Sequence, residues 1–426
     1  MSGSHSDHSL ERVPDADLTS GMHIWLIIVG GVIGVPVFIM AARIGGSLGL
    51  AGAVPVFLIG CIVAAVLGTV TSLAGAKTRL STYMLTIFSF GRHGALFVNA
   101  IIALSLVGWF AVIGSVFGDA ALNALEGLGL AAPPVWSLKL AGCLLMVMVS
   151  IFGFRGIDRL ALFLVPLMLL FLGYAACLTW GDIGRETPGD FSFSKAVSAV
   201  VGSYIVGVVI QPDYSRFAKN MRHAGWSVGL ALGVAFPVVL LLSAIPAMAT
   251  GEQDIILVMI ALGIGLPAFL LLLLGAWSSN VLCLYSAGLA VSTLMPRFGL
   301  KIIIAIIGTA GTALALMNVQ DYFLDFLVVL GVGIPPIAAI YALEVFLLRR
   351  VDWQILSVDH EPAYNLRAFI AWGGGALTGY LSDGFGLGIS GIGAIDAIIV
   401  SACLYMMVGR RGVSEQSLPR NQASCQ

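Results

Sequence analysis

Leu271 to Leu284 reads LLLLGAWSSNVLCL, four leucines running into Gly275, Ala276, Trp277, Ser278, Ser279 and Asn280. The surrounding apolar run, from about Leu266 to Leu294, is long enough to cross a bilayer, whose core of about 30 Å takes roughly 20 helical residues. The polar cluster therefore falls at mid-membrane depth. Two hydroxyls and an amide in hydrocarbon are costly unless they pair with backbone, each other or a ligand, so they are expected to face the protein interior. Two readings stay open at this point. Ser278 and Ser279 hold a small cation, or they bond back to helix carbonyls at a tight helix crossing.

Runs of this kind fill the chain. Of its 426 residues, 59% are hydrophobic and 10% charged, and the mean hydropathy is +1.01, far outside the range of a soluble globular domain. The expected class is an all-α polytopic membrane protein in a lipid bilayer. Twelve spans are predicted, at about 23–43, 51–73, 95–122, 136–153, 159–179, 195–212, 224–249, 266–294, 300–318, 322–347, 367–382 and 388–408. Asp254 to Gly263 reads as a short amphipathic helix at the membrane surface. Residues 1–22 and 410–426 are expected to be tails.

Charge adds orientation. With the N-terminus inside, all but Arg43, Lys139, Arg185 and Lys195 of the 21 Lys and Arg residues fall on one side, so both termini are expected to be cytoplasmic. A net charge of −1 with no basic patch gives no reason to expect nucleic-acid binding. The six cysteines form no CxxC or His/Cys pattern and read as packing residues or free thiols. The first 22 residues lack a basic region followed by a short apolar core, so no cleaved signal peptide is expected. No GxSxG, HExxH or Walker-type loop is present, and the chain does not read as an enzyme.

Carriers build sites from interrupted helices at matching positions in two halves. Span one holds Gly30, Gly31, Gly34 and Pro36, and Pro36 removes a backbone donor while opposing the helical conformation at Val35. Span six holds Gly202, Ser203 and Gly207. Breaks are expected at both, although glycine also serves close helix packing. The two lie five spans apart with opposite directions, the pattern of a five-plus-five inverted repeat over residues 23–347, with two extra helices over 348–409.

Seven short segments stand out along the chain: GAKTRLST (Gly75 to Thr82), FSFG (Phe88 to Gly91), VGWF (Val107 to Phe110), VVGSY (Val200 to Tyr204), DYSRFAKN (Asp213 to Asn220), AWSSN (Ala276 to Asn280) and GIPPI (Gly333 to Ile337). In sequence and in order they resemble segments of bacterial cytosine permeases of the nucleobase:cation symporter-1 family. The resemblance implies a sodium-symporter-like core with broken helices 1 and 6, and a base held between Trp109 and Tyr204 with Ser203 at its edge. It also implies a cation on Ser278, Ser279 and the Gly275 carbonyl, facing carbonyls near Gly34 and Val37. Serine supplies the oxygen that a hard ion such as sodium needs.

Departures from the family concern the base edge. Leu106 stands where cytosine carriers have a glutamine, Val206 where they have a second polar residue, and Gly275 where they have an asparagine. An unpaired edge group costs about 1–3 kcal/mol, so a hydroxymethylpyrimidine or another base analogue fits as well as cytosine. Proton coupling is the alternative to sodium, with Asp119, Asp325, Glu344 and Asp396 as candidates. No cofactor beyond the coupling ion is expected, and a monomer in the bacterial inner membrane is. A channel or substrate-sensing receptor is the alternative of a different class, disfavoured by the interrupted helices and the absence of a soluble domain.

Overall fold

Backbone N–H and C=O groups in hydrocarbon must be satisfied within the chain, which favours helices for every apolar run. A computed structural model describes residues 12–127, 130–152, 157–184, 191–251, 265–295, 297–348 and 361–407. Its described residues are helical apart from connections and one isolated bridge between Thr19 and Ala218. The region read as a surface helix, Asp254 to Gly263, lies outside the described residues.

Span one divides into α1 (Gly21–Val32) and the start of α2 (Val35–Thr78). Between them Ile33 (φ −95°, ψ 105°) and Gly34 (φ −166°, ψ 156°) are extended. Pro36 falls in the first turn of α2, where its missing N–H forfeits no helical bond. Further on, α2 changes direction at Gly49, whose φ of +64° suits glycine and strains other residues. Next come α3 (Thr82–Phe90) and α4 (Arg92–Gly127), followed by α5 (Val135–Phe152) and α6 (Ile157–Thr179). Then come α7 (Phe193–Val209) and the short α8 (Gln211–Ser215). A π-helical turn at Ala231–Ala235 joins α9 (Met221–Leu230) to α10 (Phe236–Thr250). The remaining helices are α11 (Gly265–Leu294), α12 (Leu300–Leu316), α13 (Phe323–Gly333), α14 (Pro335–Leu343), α15 (Leu366–Phe385) and α16 (Gly393–Met407).

Span six departs from expectation in where it is interrupted. Helix α7 runs unbroken through Gly202, Ser203 and Gly207, and helical geometry lapses only at Ile210 (φ −85°, ψ 9°), two residues before Pro212. The glycines serve packing instead. A Cβ on Gly202 would collide with the Leu327 carbonyl oxygen of α13, and one on Gly207 would lie 2.6 Å from the Tyr204 ring.

Among the described residues, five helices are long and apolar enough to cross a membrane, beginning with Pro36–Thr78 and Arg92–Glu126. Others are apolar but shorter, such as Gly21–Val32, Phe193–Val209 and Leu300–Leu316, because breakers and turns divide the apolar runs. Leu58, Ile62 and Val66, four residues apart on α2, are 43%, 55% and 61% exposed. Such a stripe of aliphatic side chains suits lipid and not water.

Two groups of helices pack internally. Helix α2 lies against α7, α9 and α10, whereas α4 lies against α5, α11 and α12. Helices α15 and α16 pair with each other and rest on α13 and α14.

Candidate functional site

At helical spacing, residues i, i+3, i+4 and i+7 share one face. Leu106, Trp109 and Ile113 form such a face on α4, and Ala276, Ser279, Cys283 and Ser286 form another on α11. Opposite lie Gly31, Gly34, Pro36 and Val37 around the break in span one, with Ser203, Tyr204, Val206 and Gly207 of α7 and Tyr214 of α8. Together they enclose a cavity of about 100 Å³.

The cavity thus brings together Leu106, Trp109, Ser203, Tyr204 and Val206 from the expected substrate set, and Gly34, Val37 and Ser279 from the expected ion set. Gly275 is not among the residues that line the cavity. A Cβ there would be 2.9 Å from the Met168 sulfur on α6, so this glycine accommodates a neighbouring methionine. The Ser278 side chain lies outside the described residues.

Trp109 is 8% exposed and meets Phe323 and Phe326 of α13 edge to face, with ring centroids at 5.8 and 5.9 Å. Such pairs hold a ring in a fixed orientation. Tyr204 meets Phe236 at 6.4 Å and reaches back over α1, where a Cβ on Gly31 would be 3.2 Å from its hydroxyl. Two glycines, Gly31 and Gly207, therefore make room for one tyrosine. Neither the indole N–H nor the Tyr204 hydroxyl makes a hydrogen bond among the described residues, leaving both free for a polar ring. Ser203 differs, since its hydroxyl donates to the Val200 carbonyl at 2.7 Å.

On the ion side, the Gly34 carbonyl accepts the Val37 and Phe38 N–H groups at 3.0 and 3.2 Å and opens α2. A Cβ on Gly34 would lie 3.9 Å from Ser279 Oγ. Membrane serines and threonines in this chain habitually bond back to a carbonyl three or four residues earlier, as Ser105, Ser243, Ser292 and Thr312 do. Ser279 makes no such bond among the described residues. Its hydroxyl faces the break in span one instead.

Residues outside the expected set also line the cavity, notably Ile113, Tyr214, Cys283 and Ser286. Cys283 and Ser286 were legible, since they follow Ser279 at i+4 and i+7. Tyr214 carried only its place in DYSRFAKN. Among the acidic candidates, Asp119 pairs with Lys139 at 3.1 Å and Asp325 is exposed. Glu344 accepts the Tyr405 hydroxyl. Asp396 accepts the Ile389 and Ser390 N–H groups at 3.1 and 2.7 Å. None of these four lines the cavity.

A family model described as a permease for cytosine/purines, uracil, thiamine and allantoin matches residues 19–409. The chain belongs to this permease family. Cytosine permease of Escherichia coli strain K12 is 28% identical over 390 residues, which span 88% of the chain and 89% of the relative. Cytosine permease of Escherichia coli O157:H7 matches to the same extent. In structure, the permease is similar to Mhp1, a nucleobase-cation-symport-1 family transporter, in a closed conformation with bromovinylhydantoin bound. The TM-score is 0.78 at 19% identity, covering 94% of each chain. A substrate-bound, outward-open Na⁺-coupled sialic acid symporter is similar at a TM-score of 0.63 and 13% identity, covering 94% of the permease and 92% of the symporter. The permease therefore has the fold of these transporters, and its relatives are permeases and not enzymes.

Proposed function

We propose that the permease is a secondary active transporter that imports cytosine or a related pyrimidine together with a cation, sodium in preference to a proton. The observation that carries this reading is that one cavity gathers Trp109, Tyr204, the helix break and the Ser279 hydroxyl, which makes no hydrogen bond among the described residues. Aromatic faces bind a flat heterocycle without demanding one edge pattern. Leu106 and Val206 then leave part of that edge unread, so a ring with fewer or rearranged polar groups fits as well as cytosine.

Sodium is favoured because the oxygen-bearing groups at the break are a backbone carbonyl and a hydroxyl, donors suited to a hard ion. None of the four candidate carboxylates lines this cavity: Asp119 pairs with Lys139, Glu344 with Tyr405 and Asp396 with a loop, and Asp325 is exposed. Gly275 and Ser278 would complete the ion's shell through a carbonyl and a second hydroxyl. An inverted-repeat core of ten helices, with two more outside it, lets the group around α2 and α7 move against the group around α4 and α11. If the ion orders the junction of α1 and α2 against α11, it raises affinity for the ring, and the ring reciprocally raises affinity for the ion.

The test is uptake of labelled cytosine in bacteria lacking their own carrier, with and without sodium, challenged by uracil, hydroxymethylpyrimidine and hydantoin. The expected result is sodium-stimulated accumulation in the wild type and loss of the sodium stimulation in Ser279→Ala. Sodium dependence that survives in Ser279→Ala overturns the ion site. Failure of every compound to be taken up or to compete overturns the ring site.

A further inference from the structure

A second and larger cavity, of about 280 Å³, adjoins the first and shares Leu106, Ile210, Tyr214 and Ser286 with it. It continues the same two helix faces. Asn99 and Ile102 extend the stripe of α4 below Leu106, and Leu289, Ala290 and Thr293 extend that of α11 beyond Ser286. Asn99 precedes Trp109 by ten residues, about 15 Å along the helix axis. One small ring cannot touch both at once, so filling the two cavities together takes two molecules.

The larger cavity has what the smaller one lacks. The walls of the first carry no carboxamide, because Leu106 and Val206 replace the polar residues that the family resemblance calls for. The second has Asn99, which is 4% exposed and fixed in orientation by donating from Nδ2 to Thr293 Oγ1 at 2.9 Å. Thr293 in turn donates to the Ala290 carbonyl at 2.7 Å. The carboxamide still has one Nδ2 hydrogen and its Oδ1 acceptor unused among the described residues. A donor and an acceptor side by side match the N–H/C=O edge of a lactam or the amino/ring-nitrogen edge of an aminopyrimidine. Tyr83, Tyr214 and Tyr285 line the same cavity and supply aromatic surface. Asp213 and Arg216 contribute one charge of each sign, with Asp213 Oδ1 accepting the Thr82 N–H at 2.8 Å, so the lining favours a neutral ligand. Space is sufficient, since an apolar cavity of about 150 Å³ already holds benzene.

We propose that this cavity is a second binding station for the transported heterocycle, in which Asn99 reads an edge that the first station leaves unread. Ser81, Thr82 and Tyr83 at the start of α3 line it, beside Lys77 and Arg79 at the end of α2, so a ring leaving the first station for that side passes it. The inference rests on the reading of the first cavity as a ring site. Relay between two stations weakens the dependence of release on a single tight site, and it places edge selectivity on the path instead of beside Trp109.

The test is equilibrium dialysis of the purified full chain against labelled cytosine in sodium chloride, counting molecules bound per chain. Wild type is expected to bind two. Asn99→Leu is expected to bind one, with the affinity of the remaining site within about twofold of the wild type and that of the lost site weakened at least tenfold. Thr293→Val, which frees the carboxamide without removing it, is expected to weaken the same station and serves if Asn99→Leu does not fold. Trp109→Ala is expected to lose the other molecule. One molecule per chain in wild type, lost in Trp109→Ala and untouched by Asn99→Leu, overturns the second station alone. Two molecules of which Asn99→Leu removes one and Trp109→Ala removes none leave the second station standing and overturn the first. No binding by wild type overturns both.

Discussion

Spans one and six both carry glycines on the cavity wall, yet the chain treats them differently. Span one is extended at Ile33 and Gly34, whereas α7 stays helical through Gly202, Ser203 and Gly207. What the two share is the position of proline. Gly34 precedes Pro36 by two residues, as Ile210 precedes Pro212, and at both places the helix restarts with proline in its first turn. Proline lacks the N–H that would continue the preceding helix and disfavours helical geometry just before it. Glycine by itself does not break these helices. It decides how closely a neighbour approaches, and the two roles separate cleanly in this molecule.

The largest effect that could break this comparison is expected at Gly202. Its Cβ position is taken by the Leu327 carbonyl, a backbone atom that cannot turn aside, and across the same contact a Cβ on Gly331 would meet the Ser198 carbonyl. Gly202→Ala is therefore expected to cost about 3 kcal/mol or more through overpacking, seen as loss of monodisperse protein or a large fall in melting temperature in detergent. A variant that folds and transports normally would show that α7 and α13 are loosely apposed, and the packing account of span six would fail.

This contrast also marks what sequence alone conveys. Apolar runs are legible because lipid allows little besides helices, and the motifs from GAKTRLST to GIPPI carry family membership because their order is specific even where each is short. Trp109, Tyr204 and Ser279 were legible as neighbours only through that resemblance, since nothing in local periodicity brings α4, α7 and α11 to one place. The packing roles of Gly202 and Gly275 were hidden from sequence for a common reason. A glycine's purpose lies in the atom opposite it, here the Leu327 carbonyl or the Met168 sulfur, and that atom is remote in sequence. Asn99 gave no signal at all, because a lone polar residue in an apolar run takes its meaning from the wall it faces.

An intermediate effect is expected at the residue between break and proline. In span one that residue is Val35, and in span six it is Gln211, which is fully buried with both amide atoms lacking a hydrogen-bond partner among the described residues. Buried polar groups without partners are destabilising, by about 1–3 kcal/mol each in full. Gln211→Met keeps much of the side-chain volume and removes both groups, so it is expected to stabilise the protein by about 2 kcal/mol, read as a higher melting temperature in detergent. A lower melting temperature would mean that the amide is satisfied in the folded protein, and that the break in span six is held by a polar contact which span one does without.

The smallest effect is expected at Gly34, where the comparison is sharpest. Its φ of −166° is extended backbone open to any residue, and a Cβ would find Pro36 Cδ at 3.8 Å and Ser279 Oγ at 3.9 Å, both ordinary contacts. If proline places the break, Gly34→Ala leaves it in place and slightly reduces the freedom of the unfolded chain, a gain of about 0.4–1 kcal/mol. The Gly34 carbonyl, which accepts from Val37 and Phe38, is untouched. Sodium-stimulated uptake should therefore persist in Gly34→Ala, with a half-saturating sodium concentration close to that of wild type, in contrast to its loss in Ser279→Ala. A collapse of folding on the scale expected for Gly202→Ala would mean that the glycine holds span one open. Loss of sodium response with folding intact would mean that the ion comes within reach of the new methyl group, drawing the site closer to Gly34 than the carbonyl alone requires.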